Sequence, residues 1–284
     1  MNKKLTLGAV AYCPEVVTIW DGFKAWFQSH GLPFDTILYT NYESQVEALF
    51  AGHIDVAWNS PLAWIQSERI ARNLGLEALA IAMRDTDQDL SSLIVVRSDA
   101  ELDRIEDLRE KVVGVGAHDS PQANLIPLNH LAAQGITPHV DFKVLPFDTL
   151  LGKHGDHIGG EREAFVALIE GRCDAACLIE GNYQAFEREG LVEAGSTRVL
   201  STTAHYDHCC FTAIAGRCDV SIDQFAKLLL SMSYDDEEIR PLFDLENLTV
   251  WLPGRTKGFA QLNEAVDRFG YLDDFVVRMN KQFA

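Results

Sequence analysis

The chain has 284 residues, 47% of them hydrophobic, enough for two α/β domains with cores of their own. Lys and Arg number 24 against 42 Asp and Glu, a formal charge of −18. A surface that acidic repels phosphate backbones and anionic lipid, so nucleic-acid and membrane-surface partners are not expected, and no apolar run reaches the ~18–20 residues of a membrane-spanning helix.

The first apolar run, "LTLGAVAY" (5–12), leads straight into a helical pattern, so it reads as a core strand and not as a signal-peptide core. On that reading the chain is cytoplasmic as written, or periplasmic if a leader has been removed. The helix predicted from about Pro14 to His30 carries Val17, Trp20, Phe23, Ala25 and Phe27 as its apolar stripe, with Pro14 in the first turn and Gly31 just past the end. Strand "DTILYT" (35–40), helix 42–52, strand "IDVAWNS" (54–60) and helix 61–73 follow. This alternation predicts mainly parallel sheets flanked by helices.

The second half repeats the plan. "ALFAGHIDVA" (48–57) and "ALIEGRCDAA" (167–176) share a helix end, a glycine cap and a fresh strand. "NSPLAW" (59–64) and "DSPQAN" (119–124) both place Ser-Pro at a strand-to-helix junction. Two lobes are therefore expected. The first is discontinuous, 1–90 plus 206–284, and the second is 91–205, with hinge crossings near 87–93 and 203–210. The tail helices at 221–232 and 262–270 are expected to pack on the first lobe.

Ser60 and Ser120 suit the N-cap, with Pro at the first helical position. Each junction also turns amide N–H groups and a positive dipole end toward the C-terminal edge of a sheet, where α/β folds bind anions. Tyr12, Tyr42, Trp58 and Trp64 gather at the same edge as candidate aromatic walls. His154, His157 and Arg162, around a glycine-rich stretch, are candidates to complement an anion, and Glu180 is a candidate acceptor for an amine. The six cysteines do not form a disulfide framework in a chain of this length. Nucleophile-elbow, zinc-protease, dinucleotide-binding and P-loop signatures are all missing from the sequence.

"YTNYESQVEALFAGHIDVAWNSPLAWIQ" (39–66), "VVGVGAHDSPQANLIPLNHLAAQGITP" (112–138), "EAFVALIEGRCDAACLIEGNY" (163–183) and "YDHCCFTA" (206–213) resemble, in order, the phosphonate/phosphite-type substrate-binding proteins of ABC transporters. The resemblance runs from about 5 to 270. It implies a type II periplasmic-binding-protein fold closing on a small anionic or zwitterionic ligand in a cleft between the lobes, with an ABC permease as partner and no cofactor. It implies ligand contacts from Ser120 with Gln122 and Ala123, from Tyr42, from Asn59 and Ser60, and from Glu180 and Asp207. Two departures stand out: Asp119 sits beside the anion position, and Gly-Glu-Arg-Glu replaces the family's Gly-His-Glu before the helix at 163.

Two other readings compete. An enzyme on the same fold would use His157, Glu180, His205, His208 or Cys209. A metal site would use His205, His208 and Cys210, all in "AHYDHCCF" (204–211). Strand alternation sends Cys209 and Phe211 to one face and Cys210 and Thr212 to the other. Cleft lining by Asp207 and His208, without metal, is therefore the expectation.

Overall fold

A computed structural model of the chain describes residues 4–155 and 160–284. The first strands are β1 (Leu5–Val10), β2 (Phe34–Tyr39), β3 (Val56–Asn59), β4 (Ala78–Ala80) and β5 (Ala82–Arg84), with α1 (Glu15–Ser29), α2 (Tyr42–Ala51) and α3 (Pro61–Asn73) following the first three. Then come β6 (Ser92–Arg97), β7 (Val112–Val115), α4 (Ile126–Ala133), β8 (Lys143–Pro146), α5 (Glu161–Ile169), β9 (Ala175–Ile179), α6 (Glu180–Arg188) and β10 (Thr197–Thr202). The chain continues with β11 (Cys210–Ile214), α7 (Asp219–Ser231), α8 (Arg240–Glu246), β12 (Trp251–Pro253), α9 (Ala260–Phe269) and α10 (Asp273–Phe283).

These elements form two compact units. The first comprises Met1–Gln88, Asp207–Phe259 and Leu272–Ala284; the second comprises Asp89–Tyr206 and Ala260–Tyr271. The helix expected over 262–270 to pack on the first lobe belongs to the second unit. Its buried face, Leu262, Ala265 and Val266, lies beside α4, and Arg268 Nε donates to Asn129 Oδ1 at 2.6 Å. The tail returns to the first unit only with α10, where Phe283 meets Phe50 and Gln282 donates to Glu47.

Each unit has a five-stranded sheet. In the first the order is β2-β1-β3-β11-β4; β1 pairs in parallel with β2 and β3, whereas β11 is antiparallel to β3 and β4. In the second the order is β10-β6-β9-β7-β8; β7 is parallel to β8 and β9, whereas β6 is antiparallel to β9 and β10. The parallel pairs are the ones joined by βαβ crossovers. β11 reaches its neighbours by another route and escapes that constraint.

Local chemistry accounts for the element ends. Ser60 Oγ accepts from the Ala63 N–H at 3.1 Å and Pro61 opens α3. Gly52 and Gly171, the paired repeat glycines, both have positive φ. The stripe of α1 is rotated from the expected one: Val16, Ile19, Trp20, Phe23, Trp26 and Phe27 are buried, and Val17 is 46% exposed. An i, i+3, i+4, i+7 ladder starting at Val16 meets the sheet, and one starting at Val17 does not. That stripe packs into an aromatic core with Trp58, Phe211, Phe225 and Trp251.

Candidate ligand-binding site

The polar groups of the second unit converge where β7 gives way to α4. Ser120 caps a wide π-type turn, Pro121–Leu125, that runs directly into α4; such turns recur at functional sites. Ser120 Oγ accepts from the Ala123 N–H at 3.2 Å, and the Leu125 N–H bonds the Ser120 carbonyl at 3.0 Å. Behind the turn, Ser92 Oγ donates to the Gln122 carbonyl at 2.5 Å and lies 2.7 Å from the Tyr206 hydroxyl.

A glycine-rich segment lies over this turn. Asp119 Oδ2 accepts from the N–H groups of Gly152 (2.6 Å) and His154 (3.1 Å), while its buried Oδ1 has no hydrogen-bond partner. This explains the departure at 119: the carboxylate anchors the segment through two amides. Gly155, at φ +72°, comes so near that a Cβ there would sit 2.3 Å from Ser120 Oγ and 2.8 Å from Gln122 Nε2. His154 is buried in the same segment, and His157 lies outside the described residues.

Gln122 ties the turn to a second carboxyl. Its Nε2 donates to the Gly155 carbonyl at 2.5 Å and to Glu161 Oε1 at 3.3 Å. Glu161 is fully buried, and its Oε2 accepts from the Ile179 N–H (2.8 Å) and Asn182 Nδ2 (3.0 Å). Burial raises its pKa to about 8 against the lowering effect of these three donors. Sequence reading missed Glu161 as a site group; the visible signal was an acidic residue opening a helix directly after a glycine.

Two expected ligand groups of this unit are engaged elsewhere. Arg162 pairs with Glu189 at 2.7 Å and lies over the Phe186 ring, so its charge is already complemented at the surface. Glu180 is an exposed helix-opening residue; its carboxylate accepts from Ser91 Oγ at 2.8 Å and from Gln184 at 3.3 Å.

In the first unit, Tyr12 is half-buried and packs against the aromatic core, while Tyr42 opens α2 fully buried. Asn59 is committed to an internal ladder: its Oδ1 accepts from Gln45 Nε2 at 2.8 Å and its Nδ2 donates to Ser67 Oγ at 3.2 Å.

"AHYDHCCF" resolves into separate roles. His205 is exposed, and Cys210 lies 3.7 Å from Thr212 on the opposite strand face from Cys209 and Phe211, so His205, His208 and Cys210 are not a ligand set. Asp207, expected to face ligand, is 2% exposed and bonded by both oxygens to Arg255 at 2.7 and 2.5 Å. Gly258 leaves room for it, since a Cβ there would fall 2.0 Å from Asp207 Cγ.

His208 Nδ1 lies 3.1 Å from Cys209 Sγ and 3.5 Å from Asp87 Oδ1, and one ligand atom from each of these three residues falls within 4.8 Å of the others. Both Asp87 oxygens are, however, taken by Arg84 at 2.6 and 2.9 Å, and Arg84 also bonds Glu246 at 3.0 Å. Burial alone would raise the Asp87 pKa, but Arg84 and His208 hold it down to about 2. The trio is thus part of a buried ionic network that also takes in Arg84 and Glu246. Of the groups an enzyme would need, Glu180 belongs to the second unit and His208 with Cys209 to the first.

Residues 12–257 match the family model described as ABC transporter, phosphonate, periplasmic substrate-binding protein. The chain belongs to that family. It is a solute-binding protein for small anionic ligands, and nothing in the family assignment supports the enzyme alternative. Solved structures agree on the fold. PhnD1 from Prochlorococcus marinus in complex with methylphosphonate is 17% identical, with a TM-score of 0.69 over 95% of this chain and 99% of that one. XAC2383 from Xanthomonas citri bound to chloride is 15% identical, with a TM-score of 0.70 over 98% and 99%. The aliphatic sulphonate binding protein SsuA from Escherichia coli is 14% identical, with a TM-score of 0.56 over 95% and 88%. The family is periplasmic, and among the described residues no helix is long and apolar enough to cross a membrane.

Proposed function

We propose that the protein captures a small phosphonate- or sulfonate-like anion at the Ser120–Ala123 turn of the second unit, in the periplasm, and delivers it to an ABC permease. The capped turn at the head of α4 carries this reading: Ser120 fixes the turn through Ala123, and the positive end of the helical stretch favours negative charge there. The Gln122 carboxamide is held beside it by Gly155 and Glu161, which accept its two N–H groups, so it can donate to the anion only when one of those contacts is given up.

Calorimetric titration with methylphosphonate, methanesulfonate and inorganic phosphate tests this. At least one should bind with one-to-one stoichiometry, and Ser120→Ala should weaken it by about tenfold or more, equivalent to ~1.4 kcal/mol. An unchanged affinity in Ser120→Ala would move the anion site away from α4.

A further inference from the structure

Glu161 has a role that the anion site alone does not explain. A fully buried carboxyl is normally matched by a cation, yet among the described residues no Lys, Arg or His side chain pairs with it. Among the described residues, the groups bonded to it or acting on it are neutral. They are Gln122 from the turn, the Ile179 N–H at the end of β9, Asn182 from α6, and the Cys177 thiol and Tyr206 hydroxyl, both pushed to high pKa by burial. The next residue on α5, Arg162, is turned to Glu189.

We infer that Glu161 is a positioning residue that makes anion capture proton-coupled, through its grip on Gln122. The inference rests on the anion being held at Ser120–Ala123. Ionised, Glu161 draws one Gln122 N–H to itself and sets a negative charge one side chain from the anion. Protonated, it releases that N–H and removes the charge. The Gln122 contact, at 3.3 Å, is the longest of the three, so it is the hydrogen bond most readily given up when the carboxyl takes a proton. Burial keeps the protonated form populated near neutral pH. The sign follows directly. A bound anion favours the protonated carboxyl, so affinity is full below the Glu161 pKa and is lost as pH rises through it, and binding near that pH takes up a proton.

The probe is methanesulfonate, whose charge stays constant from pH 6 to 9. Its dissociation constant is measured for the wild type and Glu161→Gln across that range, with calorimetry in buffers of different ionisation enthalpy to count protons. The wild type should weaken about tenfold between pH 7 and 9 and take up a fraction of a proton near pH 8, whereas Glu161→Gln should show neither. Equal pH slopes in the two proteins would overturn the coupling. A ligand-free readout stands beside it: the protonated-carboxyl infrared band, assigned by its loss in Glu161→Gln, should titrate well above the ordinary glutamate range. If it titrates like a surface carboxyl, the coupling falls even where the anion binds. If methanesulfonate fails to bind at any pH while the band titrates high, the failure lies with the anion reading, and the coupling goes with it.

Discussion

A buried charge is defined by what it is bonded to, and Asp207 illustrates this. Its carboxylate is almost wholly buried and grips Arg255 with two charge-assisted bonds, a geometry that fixes the guanidinium plane. Removing it leaves a part-buried guanidinium without its fixing partner, so Asp207→Ala should destabilise the protein by about 2–4 kcal/mol, the lower part of that range reflecting the exposure of Arg255. Urea unfolding checks this, and Asp207→Asn should recover a minority of the loss because it restores one acceptor but no charge. A fully stable Asp207→Ala would mean that the pair is peripheral. The same reasoning applies at Asp87. Its pKa is depressed to about 2, so its contribution is present above the ordinary carboxylate range and is lost as pH falls through 2.

Elements show the effect of crowding separately from that of conformation. Gly155 and Gly190 both have φ +72°, but only Gly155 is crowded, by Ser120 and Gln122; nothing lies within 4 Å of a Cβ at Gly190. Gly190→Ala should therefore cost about 1 kcal/mol of backbone strain, and Gly155→Ala roughly 1–3 kcal/mol together with weaker anion binding. Thermal melts and methanesulfonate titration of the two variants separate these effects. Equal losses in both would mean that the segment at 152–155 moves aside without consequence. What was legible in the sequence follows the same division. Strands, helices, the caps at Ser60 and Ser120 and the repeat glycines are local, set by alternation and turn chemistry within a few residues. Asp207–Arg255, Glu161–Gln122 and the allegiance of α9 are not, because each depends on partners 39 to well over 100 residues away that no spacing rule connects. The Ser-Pro junction located Ser120 as a cap, but whether Asp207 meets a ligand or an arginine is decided by chain returning from β12.

At the scale of the whole molecule, the described residues of each unit include a carboxyl of raised pKa, Glu246 in the first and Glu161 in the second, both raised chiefly by burial. For such groups stability is full below the unfolded pKa and is lost as pH rises through the folded one. For Glu161 that window runs from the ordinary glutamate range up to about pH 8, with a limiting slope of about 1.4 kcal/mol per pH unit. The net charge of −18 adds repulsion on the same alkaline side, but this acts at the surface and is screened by salt, whereas a buried carboxyl is not. Urea unfolding between pH 5 and 9, at low ionic strength and in about 0.5 M salt, distinguishes the two. The wild type should lose stability steadily up to about pH 8 in both conditions, with salt recovering only part. Glu161→Gln should be no more stable than the wild type at pH 5, more stable at pH 9, and should keep only the portion of the slope that salt removes together with the share of Glu246. A wild-type profile that becomes flat in salt would assign the alkaline loss to surface repulsion and leave Glu161 with an ordinary proton affinity.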